Sequence, residues 1–230
     1  MKLIATFSLL LITSIAANAQ ETIDKIVAQV GDKIILKSVD LFLSYGFKSV
    51  TMDDIANALG MSKKTIYQHF SNKTMLVECT TLFMHKIISE GINKICSLNK
   101  NPIEEIYDIK HFVADHLKNE KSSPQFQLKK YYPTIYKSIK IDQFDLIYQC
   151  IKTNIGRGVE LGIYRQKMNI DFITRLYFSC VMAIKDDDIF PLQTFSKTML
   201  MENYLEYHLR GICTNKGIQM FNVISEKHNS

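Results

Sequence analysis

The sequence has no tryptophan, only 4 prolines and only 9 glycines in 230 residues. With 47% hydrophobic and 22% charged residues, this scarcity excludes collagen-like, low-complexity and disordered chains. The five cysteines, Cys79, Cys96, Cys150, Cys180 and Cys213, are odd in number, scattered, and form no C-x-x-C pair. They give no sign of a disulfide framework or a metal staple, and reduced thiols in a cytosol fit them best. Catalytic signatures are missing too. There is no G-x-S-x-G, no H-E-x-x-H, no Walker loop and no acid–base pair at readable spacing, so the chain reads as a non-enzyme with no cofactor. The formal net charge of +5 permits an acidic partner such as nucleic acid without establishing one.

What is present begins with a conflict. Lys2, the apolar run Leu3 to Ala16 and the small residues Ala17 and Ala19 have the order of a secretory signal. Polar Asn18, Gln20 and Glu21 end the run short of the about 20 residues a membrane span needs, and no nearby cysteine offers a lipoprotein anchor. Residues 1–19 are therefore expected to be a signal-like leader, and 20–32 a linker or extension. Within Ile23 to Leu36, two β-rich runs flank Gly31-Asp32, the composition of a hairpin; the other reading carries the first helix back through 20–32.

From Lys33 the period becomes helical: Ile34, Ile35, Ser38, Leu41 and Phe42 share a face, and Tyr45-Gly46-Phe47 closes the segment. Thr51 is an N-cap followed by Asp53 and Asp54, which suit the positive end of a helix dipole. Ile55, Ala56 and Leu59 form its inward stripe, and Gly60 ends it. Ser62 caps a third helix running from Lys63 to Phe70, and Asn72 caps a fourth that begins with Lys73. Helices crossing at a tight turn need a small residue at the crossing, a turn residue tolerant of positive φ and an apolar anchor beyond it. Ala56, Gly60 and Ile66 meet these needs. Lys63, Lys64, Thr65 and Gln68 project from the other side, where a recognition helix faces the major groove. Lys73 stands at a helix N-terminus, a natural phosphate site.

These segments resemble the TetR family of regulators. Leu41-Phe42, Tyr45-Gly46-Phe47, Thr51 to Ala56, Leu59 to Phe70 and Asn72-Lys73 stand at the family spacing without a gap. The resemblance implies an all-α fold, with a three-helix helix-turn-helix domain at 33–71 and a larger helical effector-binding and dimerisation domain at 72–230. It also implies double-stranded operator DNA, a second copy of the chain and a small-molecule effector of unknown identity as partners. Thr51, Lys63, Thr65, Tyr67, His69 and Lys73 become DNA-contacting positions, with Ser62, Lys64 and Gln68 beside them. The implied function is a transcriptional regulator, a repressor released by its effector and working in the cytoplasm. Leu36 departs from the family, which usually has a polar residue there. Residues 1 to about 38 separately resemble the secreted start of SurA-type peptidyl-prolyl isomerase chaperones. That resemblance stops at Ser38, with no parvulin domain beyond it, which suggests a fusion near Leu36 to Ser38. The alternative reading is an exported or envelope protein with a vestigial DNA-binding domain.

Beyond Asn72 the pattern is helix after helix, with breaks expected at 99–102, 121–124, near 139–140, at 167–169 and at 186–191. The last long helices are expected at Asp171 to Lys185 and Thr194 to Ile212, with Phe195, Met199, Tyr204 and Leu209 divided between core and interface. His111 and His116 are five apart and share no helix face, so no metal site is expected. Asp186-Asp187-Asp188 reads as a solvated helix end. Gly156-x-Gly158-x-x-x-Gly162 misses the dinucleotide fingerprint and follows no strand. Tyr131, Tyr132 and the ten methionines are core, or line an adaptable pocket that the sequence does not map.

Overall fold

A computed structural model describes residues 28–229 apart from 118–123, 187 and 192. The signal-like leader at 1–19 lies outside the described residues. Helix α1 runs over 28–45, followed by α2 (Met52–Leu59), α3 (Lys63–His69), α4 (Lys73–Ser97), α5 (Pro102–Leu117) and α6 (Pro124–Tyr131). Then come α7 (Pro133–Glu160), α8 (Ile170–Ile184), α9 (Lys197–Ile212) and α10 (Asn215–Asn229). The fold is all-α. Among the described residues the only β feature is an isolated antiparallel bridge between Tyr164 and Cys213, where the turn after α7 meets the end of α9.

The expected hairpin around Gly31-Asp32 does not form, because both residues lie inside α1. Burial decides the outcome. On a helix, Val30, Ile34, Ser38 and Phe42 follow one another at i, i+4 spacing. Ile34 and Phe42 are fully buried there, and Val30 and Ile35 pack against the same core. A hairpin would strip this stripe from the core, outweighing the about 1 kcal/mol that a mid-helix glycine costs. Ser38 is buried too, and its hydroxyl donates to the Ile34 carbonyl at 2.7 Å. Leu36 falls on the opposite face and is 52% exposed, so the departure from the family pattern costs no packing.

Two apolar cores result. The first gathers Ile34, Phe42, Phe47, Val50, Ile55, Ala56, Ile66, Phe70, Leu76 and Val77 from α1 to α4, and is completed by Leu128, Ile135 and Ile139 from α6 and α7. The second joins Ile103, Ile106, Tyr107, Ile151, Ile155, Tyr164, Val181, Leu205, Leu209 and Phe221 from α5 and α7 to α10. A buried polar network fixes the start of α5 to the end of α7. Asn154 donates to the Pro102 carbonyl at 2.9 Å and to Glu105 Oε1 at 2.8 Å, while Arg157 Nη1 reaches Glu105 Oε2 at 2.7 Å.

The break expected near 139–140 is absent. Ile139 lies buried inside the uninterrupted α7, and the chain breaks earlier, at Tyr132-Pro133, where proline takes the first helical position. Of the four residues divided between core and interface, Leu209 is fully buried, Phe195 and Tyr204 are half-buried, and Met199 is 40% exposed.

Candidate nucleic-acid interface

The unit formed by α2, α3 and the start of α4 is built from locally determined ends. At α2, the Thr51 N–H and hydroxyl both donate to Asp54 Oδ2, each at 2.8 Å, and the Asp54 N–H donates back to Thr51 Oγ1 at 3.2 Å. This reciprocal capping box satisfies amides that have no partner within the helix. These bonds hold the Asp54 carboxylate below its usual pKa, with the backbone bond to Thr51 the largest cause. Gly60 ends α2 at φ 64°, ψ 28°, and its neighbour Met61 donates to the Ala56 carbonyl at 2.9 Å. A residue with a side chain at this position would be held in a left-handed conformation that glycine adopts without strain. Ser62 then accepts from the Thr65 N–H at 3.1 Å and shares a 2.8 Å hydroxyl–hydroxyl bond with Thr65, starting α3. Asn72 Oδ1 accepts from the Met75 N–H at 2.8 Å and starts α4.

Ala56 and Ile66 are buried where α2 meets α3, and Ile66 has no exposed surface. With Ile66 facing inward, Lys63, Lys64, Tyr67 and Gln68 are exposed on α3. Thr65 and His69 are half-buried. His69 lies against α1, close enough that a Cβ on Gly31 would sit 3.6 Å from its Nδ1. Of the residues expected at the turn and on the third helix, Ala56 lies in α2 and Gly60 ends it, Ser62 caps α3, and Lys63, Lys64, Thr65, Ile66, Tyr67, Gln68 and His69 lie on α3, while Thr51 caps α2 and Lys73 begins α4.

Two partnerships escaped the sequence reading. Lys63 forms a 2.8 Å ion pair with Asp53 in the first turn of α2, which raises the lysine pKa above its ordinary value. The sequence pattern alone pairs Asp53 only with the helix dipole. Lys73 extends to the Lys48 carbonyl at 3.3 Å, and burial lowers its pKa while Asp54 pulls it up. The Lys48 N–H donates to Gln127 Oε1 on α6 at 3.0 Å, and the Lys48 ammonium lies 5.3 Å from the centre of the Tyr131 ring. The chain approaches closely here, at a glycine with φ 85°: a Cβ on Gly46 would fall 2.2 Å from Gln127 Nε2. One backbone turn therefore links α1, α4 and α6. No local sequence signal joins Lys48 to a glutamine 79 positions away.

The arrangement offers cations, hydroxyls and one amide on an open helix face, beside the amide-rich N-terminus of α4. That set suits phosphates and base edges. Among the described residues no group of three or more His, Cys, Asp or Glu could hold a metal ion, and no helix is long and apolar enough to cross a membrane. The complete caps, turn and core give no support to a vestigial helix-turn-helix.

Residues 34–79 match the family model of bacterial regulatory proteins, tetR family. The negative transcriptional regulator IcaR of the biofilm operon icaADBC of Staphylococcus aureus (strain Newman) is 34% identical over 86 residues, 34% of this chain and 46% of that protein. The chain thus spans about half the length of that curated relative. An uncharacterized HTH-type regulator, YvaF of Bacillus subtilis, is 24% identical over 188 residues, 80% of this chain and 96% of that protein. Among solved structures, a TetR-family transcriptional regulator from Agrobacterium tumefaciens superposes with a TM-score of 0.67 at 14% identity, covering 82% of this chain and 100% of that one. That last likeness concerns the fold alone.

Proposed function

We propose that this chain is a TetR-type transcriptional regulator that binds a specific DNA sequence through α3 and represses until a small molecule releases it. In this reading residues 33–71 form the DNA-binding domain and 72–230 the effector-binding and dimerisation domain. The observation that carries the reading is the exposure of Lys63, Lys64, Tyr67 and Gln68 on a helix whose inner side is locked by Ile66. The match of residues 34–79 to the family supports it. IcaR is named as a negative regulator, which favours repression here.

Seven residues of recognition helix read few bases, so a homodimer with two half-sites fits the task. Phe172 and Leu176 on α8 and Tyr207 on α9 are exposed at 59%, 43% and 77%. Three large apolar side chains at the surface of adjoining helices suit an interface with a second copy. The Lys48 turn, bonded to both α4 and α6, is the joint through which a change in the larger domain reaches the DNA-facing helices.

The test is fluorescence anisotropy on duplex DNA at several salt concentrations. Lys73→Ala is expected to weaken binding to every sequence and to lower the slope of log K against log salt by about 1 per chain. Thr65→Ala is expected to alter which base is preferred at one position in each half-site, with discrimination changing by about 1–3 kcal/mol. Unchanged affinity, slope and preference in both variants would refute the assignment.

A further inference from the structure

Far from the DNA-facing surface, Cys96 in the last turn of α4 and Cys150 in the second half of α7 bring their sulfurs to 3.2 Å. Both are free, half-buried thiols, on helices that pack directly against each other. No comparable contact joins Cys79, Cys180 or Cys213 to another sulfur among the described residues. A disulfide needs an S–S distance of about 2.05 Å, so the two sulfurs need to approach by just over 1 Å. Both cysteines keep part of their surface exposed, and Ser97, Leu98 and Asn99, which follow Cys96, are exposed, which favours access by a small oxidant.

From this geometry we propose that Cys96 and Cys150 form a redox modification site that takes a peroxide as its substrate and closes to a reversible disulfide between α4 and α7. The Cys96 thiolate attacks one peroxide oxygen and the O–O bond breaks. Cys96 becomes a sulfenic acid, and the departing hydroxide takes up the proton Cys96 released, giving water. The Cys150 sulfur then attacks the Cys96 sulfur, the S–O bond breaks, and the departing hydroxide leaves as a second water with the Cys150 proton. Two thiols and one hydrogen peroxide give one disulfide and two waters, with two electrons passing from sulfur to oxygen.

The direction of the pKa shifts agrees with attack by Cys96. The hydrogen bond with Cys150 lowers the Cys96 pKa, and the same bond raises that of Cys150. Glu105 raises both and Arg157 lowers both, so these charges do not reverse the difference. Since α4 spans Lys73 to Ser97, about 37 Å at 1.5 Å per residue, the bond fixes the far end of the helix whose first residue is Lys73. The modification itself does not rest on the DNA-binding reading.

The test uses the full-length chain, treated with hydrogen peroxide, blocked with N-ethylmaleimide and digested without reductant. The expected result is a Cys96–Cys150 linked peptide within one chain, a loss of two alkylatable thiols and their full return with dithiothreitol. Cys96→Ser and Cys150→Ser are each expected to lose the linkage while keeping the helical circular dichroism of the parent. The peptide map of the unsubstituted chain decides the matter even if a variant fails to fold. Both thiols alkylating independently after peroxide, oxidation to separate sulfinic acids, or a disulfide to any other cysteine would overturn the proposal.

Discussion

Replacing Ile66 by alanine is expected to abolish DNA binding and to destabilise the chain by about 2–5 kcal/mol, the range for truncating a buried isoleucine. Ile66 is fully buried where α3 meets α2, inside a core shared with Phe42, Phe70 and Leu76 and closed by Leu128 and Ile135 of α6 and α7. Its loss leaves a cavity under α3, and a displaced α3 cannot present its outer face in register. The neighbouring residue gives the contrast. Tyr67 is 43% exposed, so Tyr67→Ala is expected to leave stability within about 0.5 kcal/mol while weakening affinity for duplex DNA of any sequence. Thermal melts followed by circular dichroism, beside anisotropy titrations, separate the two effects. Full stability and affinity in the Ile66 variant, or equal destabilisation in both, would contradict the packing described.

The second large effect is expected in acid. His208 on α9 is buried against the rings of Tyr177 and Tyr204, at centroid distances of 5.0 and 5.8 Å. Its Nε2 has no hydrogen-bond partner among the described residues, and burial lowers its pKa from 6.5 to about 4. Above pH 6.5 the imidazole is neutral in both folded and unfolded chains and the pH dependence is flat. Between 6.5 and 4 the unfolded chain binds a proton that the folded chain refuses, so stability falls with pH, by about 3 kcal/mol in total at 1.36 kcal/mol per unit. Asp54 and Asp171 act in a different window. Hydrogen bonds hold both below the ordinary carboxylate pKa, so their contribution is present above about pH 4 and is lost only as pH falls further. His208→Phe keeps an aromatic ring and removes the titration. Urea unfolding at pH 7, 6, 5 and 4.5 is expected to show a steep loss in the parent and a flatter one in the variant; parallel slopes would mean that His208 titrates normally.

The unit of α2, α3 and the start of α4 was legible in the sequence because its information is local. Thr51 with Asp54, Gly60, Ser62 and Asn72 each fix a helix end within a few residues of themselves. The i, i+4 stripe of α1 fixes what is buried, and it overrode the β-rich composition around Gly31. Contacts between distant segments were not legible. Gln127 reaching the Lys48 amide, Asn154 joining Pro102 and Glu105, and the Cys96–Cys150 approach each depend on how long helices cross. The break placed near Ile139 failed for a related reason: polar residues beside an isoleucine resemble a loop when the core that buries Ile139 comes from other helices. The ion pair of Lys63 with Asp53 had a local signal in its opposite charges ten positions apart, but only the turn between α2 and α3 brings them together.

The most direct measurement is selection from a pool of randomised duplex DNA by the purified full-length chain at fixed, near-physiological salt. The account predicts enrichment of an inverted repeat whose half-sites are centred one helical turn, about 10 base pairs, or a multiple of it apart. Thr65→Ala should change one position in each half. A folded protein that enriches no sequence over the starting pool, or retains DNA without regard to sequence, would contradict it.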